Sequence, residues 1–233
     1  MSVKYGMVID LRKCIGCDAC MVACKMENGV VRGEWRTRVW ERDYGDYPMV
    51  TKIKIPTLCN HCQAAPCQQV CPVQATYHAE GDVVLVDPDK CIGCGYCIAA
   101  CPYGARFKDA RTGIVDKCTY CYHRLAAGLV PVCVSTCVSH ARIFGDLNDP
   151  ESYINQYIRE HKALQVAGTS TFYVLAEGLD RSLLPKDLEK EGLINLWKNI
   201  VHPAGKALMG AAAAAVVVGT AINAFKGGKR DEE

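Results

Sequence analysis

The residues best suited to chemistry in this chain are its 16 cysteines, and they fall into tight groups. The first runs Cys14-x2-Cys17-x2-Cys20-x3-Cys24 and the second Cys59-x2-Cys62-x4-Cys67-x3-Cys71-Pro72. The third is Cys91-x2-Cys94-x2-Cys97-x3-Cys101-Pro102, and the fourth is Cys118-x2-Cys121 followed by Cys133-x3-Cys137. An even count admits disulfides. Cysteines two residues apart, however, close loops too short and strained for structural bridges. Residues 1–10 also lack the basic start and apolar run of a secretory signal. Thiols grouped this way are metal ligands. Zinc takes four thiolates from paired Cys-x2-Cys knuckles, and has no need of four-cysteine runs ending in Cys-Pro. Cubane iron–sulfur clusters, [4Fe-4S], do use such runs. No ligand position is replaced, which disfavours a [3Fe-4S] centre.

A loop with two-residue spacing wraps one face of a cubane and leaves backbone N–H groups free to point at the sulfurs. The fourth thiolate comes from elsewhere, because the same loop reaches it only under strain. In bacterial two-cluster runs of this form the fourth cysteine ligates the other cluster. Group three has this pattern in full and group two has it with an insertion. These two groups therefore exchange ligands. Cys59, Cys62, Cys67 and Cys101 make set C, and Cys71, Cys91, Cys94 and Cys97 make set D. Groups one and four exchange across the long connection. Cys14, Cys17, Cys20 and Cys137 make set A, and Cys24, Cys118, Cys121 and Cys133 make set B. Every cysteine is used once, for four [4Fe-4S] clusters.

Strands must deliver the chain into these loops, and an internal repeat shows where. Val8-Ile9-Asp10-Leu11-Arg12-Lys13-Cys14 resembles Val84-Leu85-Val86-Asp87-Pro88-Asp89-Lys90-Cys91, with a shorter echo in Ile114-Val115-Asp116-Lys117-Cys118. Each is a β-branched run ending in an acidic residue, a lysine and the first cysteine. Residues 76–86 read as a hairpin turning at 80–82, and 101–116 as another turning near 109–113. Trp35, Thr37 and Val39 alternate with Arg36, Arg38 and Trp40, which suits a strand in a hairpin at 31–57. That hairpin either faces a partner or caps the core. The lysines Lys13, Lys90 and Lys117 read as exposed strand ends, though positive charge there raises a cluster potential. His61, between two cysteines, reads as structural and not as a ligand. His78, His123 and His140 have no evident partner.

The fold class is α+β: two bacterial-ferredoxin-like units with pseudo-twofold cluster exchange, plus a C-terminal apolar helix. Residues 1–150 form the four-cluster domain, with 58–110 as the inner unit and 1–30 with 111–150 as the outer one. Residues 151–203 form an extension, with a helix at 151–161, a strand at 171–175 and an exposed charged turn at 186–191. From 204 to 225 lie about 22 mostly apolar residues, enough to span a bilayer, and 226–233 is a polar tail. Lys206 can snorkel, Trp197 suits an interfacial anchor, and Lys226, Lys229 and Arg230 close the run. Basic residues on both sides leave its orientation open. A helix packed on another subunit is the alternative reading.

The net charge of +2 argues against nucleic acid as a partner. No glycine-rich nucleotide loop or nucleophile motif is present, so the chain has no evident bond chemistry of its own. A compact chain of this length is roughly 45 Å across, from a radius of gyration of about 17 Å. One electron hop does not cross that distance usefully, whereas four clusters in a row divide it.

The order of the four groups, with Lys117-Cys118-Thr119-Tyr120-Cys121, Arg124, Gly128, Pro131-Val132-Cys133, Cys137 and Gly145-Asp146-Leu147, resembles the iron–sulfur subunits of molybdopterin oxidoreductases. These include the electron-transfer subunits of dimethyl sulfoxide, polysulfide, tetrathionate and arsenate reductases and of membrane-bound formate dehydrogenase. The likeness spans roughly residues 4–150. Val138 departs from it, standing where many relatives have proline, which bears only on the local turn. The tail from Trp197 is similar to the anchored tails of the formate dehydrogenase and membrane hydrogenase versions. The resemblance implies a heteromer with a molybdopterin catalytic subunit at one end and a quinone-reactive integral membrane subunit at the other. It also implies a membrane-associated complex with the cluster domain on the periplasmic face, exported folded on the partner's signal. The competing class is a free-standing polyferredoxin. Near-neutral charge speaks against it, since a diffusing carrier gains from a strong steering field.

Overall fold

The computed structural model describes residues 2–179 and 181–184. In chain order the elements are β1 (Tyr5–Asp10), α1 (Ala19–Glu27), β2 (Thr37–Tyr44), β3 (Thr51–Leu58), α2 (Pro66–Gln69), β4 (Thr76–Ala79) and β5 (Val83–Val86). Then follow α3 (Tyr96–Ala99), β6 (Arg106–Lys108), β7 (Val115–Lys117), α4 (Tyr122–Ala126), α5 (Val132–Ser135), β8 (Arg142–Asp146), α6 (Tyr153–Glu160), β9 (Leu164–Gln165) and β10 (Thr171–Val174). A 3-10 turn, Arg181–Leu183, closes the described part.

One four-stranded sheet, ordered β8-β1-β10-β9, organises the molecule. β1 lies inside it, antiparallel to β8 and parallel to β10. Side chains alternate faces along a strand, and β1 uses both. Met7 and Ile9 join the core around Cys20, Cys59, Cys118 and Cys133. Val8 packs the other way, with Ile143, Val174 and the α6 residues Ile154 and Tyr157. β1 thus has water on neither side, which is why its apolar run is continuous. At its end Asp10 is fully buried, accepts a hydrogen bond from the Tyr157 hydroxyl at 2.7 Å, and is gripped by Arg12. That carboxylate fixes the direction in which the chain leaves for Cys14.

The hairpins β2–β3, β4–β5 and β6–β7 are antiparallel pairs, each its own two-stranded sheet. The last two turn through residues 80–82 and 109–114, close to the positions read from the sequence. The strand at 171–174 is no loose extension of the cluster core, because its whole length is hydrogen-bonded to β1 from Met7↔Thr171 to Asp10↔Val174. Its signal is a short run of β-branched and aromatic residues; its partner lies too far along the chain to be read locally. Residues 186–191 and 204–233, where the sequence predicts a charged turn and a membrane-spanning helix, lie outside the described residues. Among the described residues no helix is long and apolar enough to cross a membrane.

Candidate metal centres

The cysteine-bearing helices sit where the strands deliver them. Cys20 and Cys24 lie four residues apart on α1 and so share a face. α1 packs against α5, which carries Cys133, and α2, carrying Cys67, packs against α3, carrying Cys97. The same helix-on-helix device therefore occurs twice.

Four sets of thiols come together. Cys14, Cys17, Cys20 and Cys137 line one pocket with Ile15 and Arg142. Cys71, Cys91, Cys94 and Cys97 line another with Ile92 and Val115. Burial pushes the Cys62 thiol well up, and the thiols of Cys59, Cys67 and Cys101 around it push in the same direction. Cys24 is pushed up to about 12, by burial first and then by Cys133 and Cys121. Cys118, wholly buried, is raised by burial and then by Cys24 and Cys133. Among the described residues no three His, Cys, Asp or Glu side chains close on a single point tightly enough to grip one ion directly. In sets A and D the thiols instead line a space between them.

Adjacent sets lie near enough for their thiols to influence one another. Cys133 faces Cys20 across sets B and A, and Cys118 faces Cys59 across sets B and C. Only Cys17 and Cys94, one each in sets A and D, are exposed; every cysteine of set B is buried.

The cysteine loops need glycine where the backbone turns left-handed and neighbours crowd it. Gly16 and Gly93 occupy equivalent places in Cys-Ile-Gly-Cys and both have positive φ, +72° and +63°. A Cβ on Gly93 would lie 2.1 Å from the Gly113 carbonyl oxygen, whereas one on Gly16 meets only the flexible end of Lys54, at 2.9 Å. Both alanine variants carry backbone strain of about 1–2 kcal/mol. Only Gly93→Ala must also move a backbone, so it is expected to deplete set D of metal while Gly16→Ala keeps set A. Iron content and the electron paramagnetic resonance (EPR) spectrum of each variant check this.

Three buried cations face these thiols, and reading by sequence alone misses or misplaces them. Arg106, 4% exposed, donates to Cys67 Sγ at 2.9 Å and to Thr76 Oγ1 at 3.2 Å, and its guanidinium also reaches Cys97. Arg142, 3% exposed, donates to Cys20 Sγ at 3.5 Å and to Thr37 Oγ1 at 2.9 Å, and faces Cys133. Burial alone would make both arginines less basic, and the neighbouring thiols outweigh it. Lys117, expected at an exposed strand end, is 1% exposed and donates to the carbonyls of Val84 and Cys118, the latter at 2.7 Å. Lys13 and Lys90 are exposed as expected. Among the described residues no carboxylate forms an ion pair with any of the three buried cations.

The remaining polar neighbours are simpler. Asn28 directs Nδ2 at Cys24 Sγ (3.7 Å) and Cys121 Sγ (3.6 Å), while Arg36, itself paired with Asp116, donates to its Oδ1. The amides of Ala75 and Ala141 donate to Cys71 Sγ and Cys137 Sγ, each at 3.2 Å. His61 is fully buried, stacked on Tyr120 at 3.8 Å, and accepts the Val84 amide proton at Nδ1. Burial, with Lys117 and Arg106 nearby, holds it neutral. His78 pairs with Asp82 and His123 with Glu27, partners the sequence does not reveal.

This donor set fits [4Fe-4S] clusters. Buried thiols shed their protons on binding metal. A buried cation needs opposite charge beside it, and thiolate-ligated clusters supply that charge where carboxylates do not.

Two overlapping segments, residues 13–75 and 50–147, match families described as 4Fe-4S dicluster domains. The class is therefore that of ferredoxin-like iron–sulfur proteins. A tetrathionate reductase subunit of Salmonella typhimurium is 46% identical over 183 residues, covering 76% of this chain and 73% of that protein. A putative dimethyl sulfoxide reductase iron–sulfur subunit of Halobacterium salinarum is 41% identical, covering 81% and 86%. The arsenate respiratory reductase iron–sulfur subunit of a Shewanella species is 37% identical, covering 76% and 98%. This chain belongs to the family of iron–sulfur electron-transfer subunits of the molybdopterin oxidoreductases.

Proposed function

We propose that the chain relays electrons through four [4Fe-4S] clusters in the order A–B–C–D. The observation that carries this is the graded exposure of the thiols. Cys17 and Cys94 are open at the two ends, every thiol of set B is buried, and in set C only Cys101 is partly exposed. Sets A and B are neighbours through Cys20 and Cys133, whose charges act on each other, B and C likewise through Cys118 and Cys59, and C and D through Arg106, which reaches both Cys67 and Cys97. A bound [4Fe-4S] cluster takes up and releases one electron without changing its ligands. The protein's part is to hold the thiols, keep water from the inner sets and leave an edge open at each end.

Those open edges suit docking. Ile15 (63% exposed) and Val138 flank set A, and Ile92 (64%) and Tyr96 flank set D. Such apolar rims around a redox centre favour close approach of a partner. Their assigned occupants are a molybdopterin catalytic subunit and a quinone-linked membrane subunit, since the relatives carry reductase-subunit names. The 204–225 run is assigned to membrane attachment on its sequence alone, and the extracytoplasmic placement rests on the family resemblance.

The test is purification of the native protein with metal analysis. About sixteen irons per chain, four to each cubane, together with a much larger co-purifying subunit, is the expected result. A chain that purifies alone with its full iron would be a free-standing polyferredoxin. One that holds zinc would be neither.

A further inference from the structure

We propose that Arg142, Lys117 and Arg106 are fixed positive charges set at the three junctions of the series, each raising the reduction potentials of the two clusters it lies between. The proposal rests on the relay reading above and deepens it.

The placement carries it. Arg142 bonds Cys20 of set A and faces Cys133 of set B. Arg106 bonds Cys67 of set C and reaches Cys97 of set D. Lys117 bonds the carbonyl of Cys118 in set B and acts on Cys67 in set C. No junction lacks a cation.

The two arginines are also equivalent in sequence. Each follows an alanine and stands five residues after the last cysteine of its run, in Cys101-Pro-Tyr-Gly-Ala-Arg106 and Cys137-Val-Ser-His-Ala-Arg142. Each therefore enters the first residue of a strand, β6 or β8, directly behind the alanine whose amide serves that cysteine. Lys117 has sequence counterparts in Lys13 and Lys90, yet it alone of the three is buried, at the one junction no arginine serves.

Burying a cation costs free energy unless an anion is close. Hydroxyls and carbonyls take some of these donors, but they do not neutralise the charge. The anion must come from the thiolate-bound clusters, and each becomes more negative by one unit of charge when it takes an electron. A positive charge within contact of the ligands favours that reduced state, strongly because the site is dry. Lying between two clusters, the same charge also offsets the repulsion an electron on one exerts on the next. A packing role alone would be met equally well by a neutral side chain of similar length. The charge reading would not.

The experiment is an EPR-monitored redox titration of the purified holoprotein in its complex, with iron and labile sulfide measured alongside. Arg142→Gln is expected to lower clusters A and B by at least a tenfold shift in the reduction equilibrium, 59 mV for a one-electron couple, and to leave C and D in place. Arg106→Gln is expected to lower C and D, and Lys117→Met to lower B and C. Arg142→Lys and Lys117→Arg, which keep the charge, are expected to restore the potentials. Full iron with unmoved potentials in the neutral variants would overturn the proposal, as would equal shifts in all four clusters. Iron lost in Arg142→Gln and not recovered in Arg142→Lys would also overturn it, in favour of packing. Fewer than four clusters in the unaltered protein would instead sink the relay reading itself, before any variant is made.

Discussion

Serine in place of Cys24 is expected to abolish one cluster and spare the cluster held by its own sequence neighbours. Cys24 is only four residues from Cys20 on α1, and a reading by sequence distance would put both on one metal centre. The fold separates them. Cys24 faces Cys133 and Cys121, more than ninety residues downstream, while Cys14 faces Cys20 and Cys137. Serine keeps the size but offers a hard oxygen that is a poor substitute for a soft thiolate. The site is also dry, so water does not readily take the vacant position. Asn28, which directs its amide at both Cys24 and Cys121, would lose one of its two sulfur acceptors. The EPR signals should show loss of cluster B with A, C and D retained, and iron should fall by about four per chain. Loss of cluster A with B intact would mean the exchange of ligands between groups one and four is wrong. The relay would be cut in either case, but at a different junction.

A chain ended at Pro150 is expected to fail to hold clusters A and B although it contains every cysteine. What it loses is β10, the parallel partner of β1, together with α6 and β9. Ile154, Tyr157, Val166, Tyr173 and Val174 are all fully or nearly fully buried. At about 2 kcal/mol for each large apolar side chain their burial amounts to roughly 10 kcal/mol, comparable with the whole stability of a domain. Asp10 would also lose the Tyr157 hydroxyl, and Pro56 its bond from Tyr173. With β1 stripped on one edge and one face, the chain has no fixed path into Cys14. Soluble yield and iron per chain, compared with the intact protein, measure this. Undiminished iron in the shortened chain would show that the helices α1 and α5 hold the outer clusters without the sheet.

Several features are legible because they are local. The repeat of β-branched run, acidic residue, lysine and cysteine marks β1, β5 and β7, each of which leads straight to a cysteine loop. The hairpin turns announce themselves through glycine and aspartate, and β2 through its alternation. The buried arginines carry a signal too, the recurrence of alanine then arginine after Cys101 and Cys137. Charged residues near a cysteine loop ordinarily read as solvent-facing, so that signal does not stand out until their burial is seen.

The kind of chemistry follows from the order of the amino acids alone. Two-residue spacing between thiols is set within a single loop, and no later folding event changes which metals such a loop suits. Burial and charge, by contrast, depend on the closed fold. Lys13, Lys90 and Lys117 have nearly the same local surroundings, yet only Lys117 is enclosed, under the carbonyl of Val84 from another hairpin. Arg142 meets a sulfur 122 residues away, and β1 its parallel partner on the far side of every cysteine in the chain. The difference is one of range. Ligand spacing is fixed by bond lengths over a few residues, whereas dielectric environment and strand partnership depend on which distant segments the closed sheet brings together.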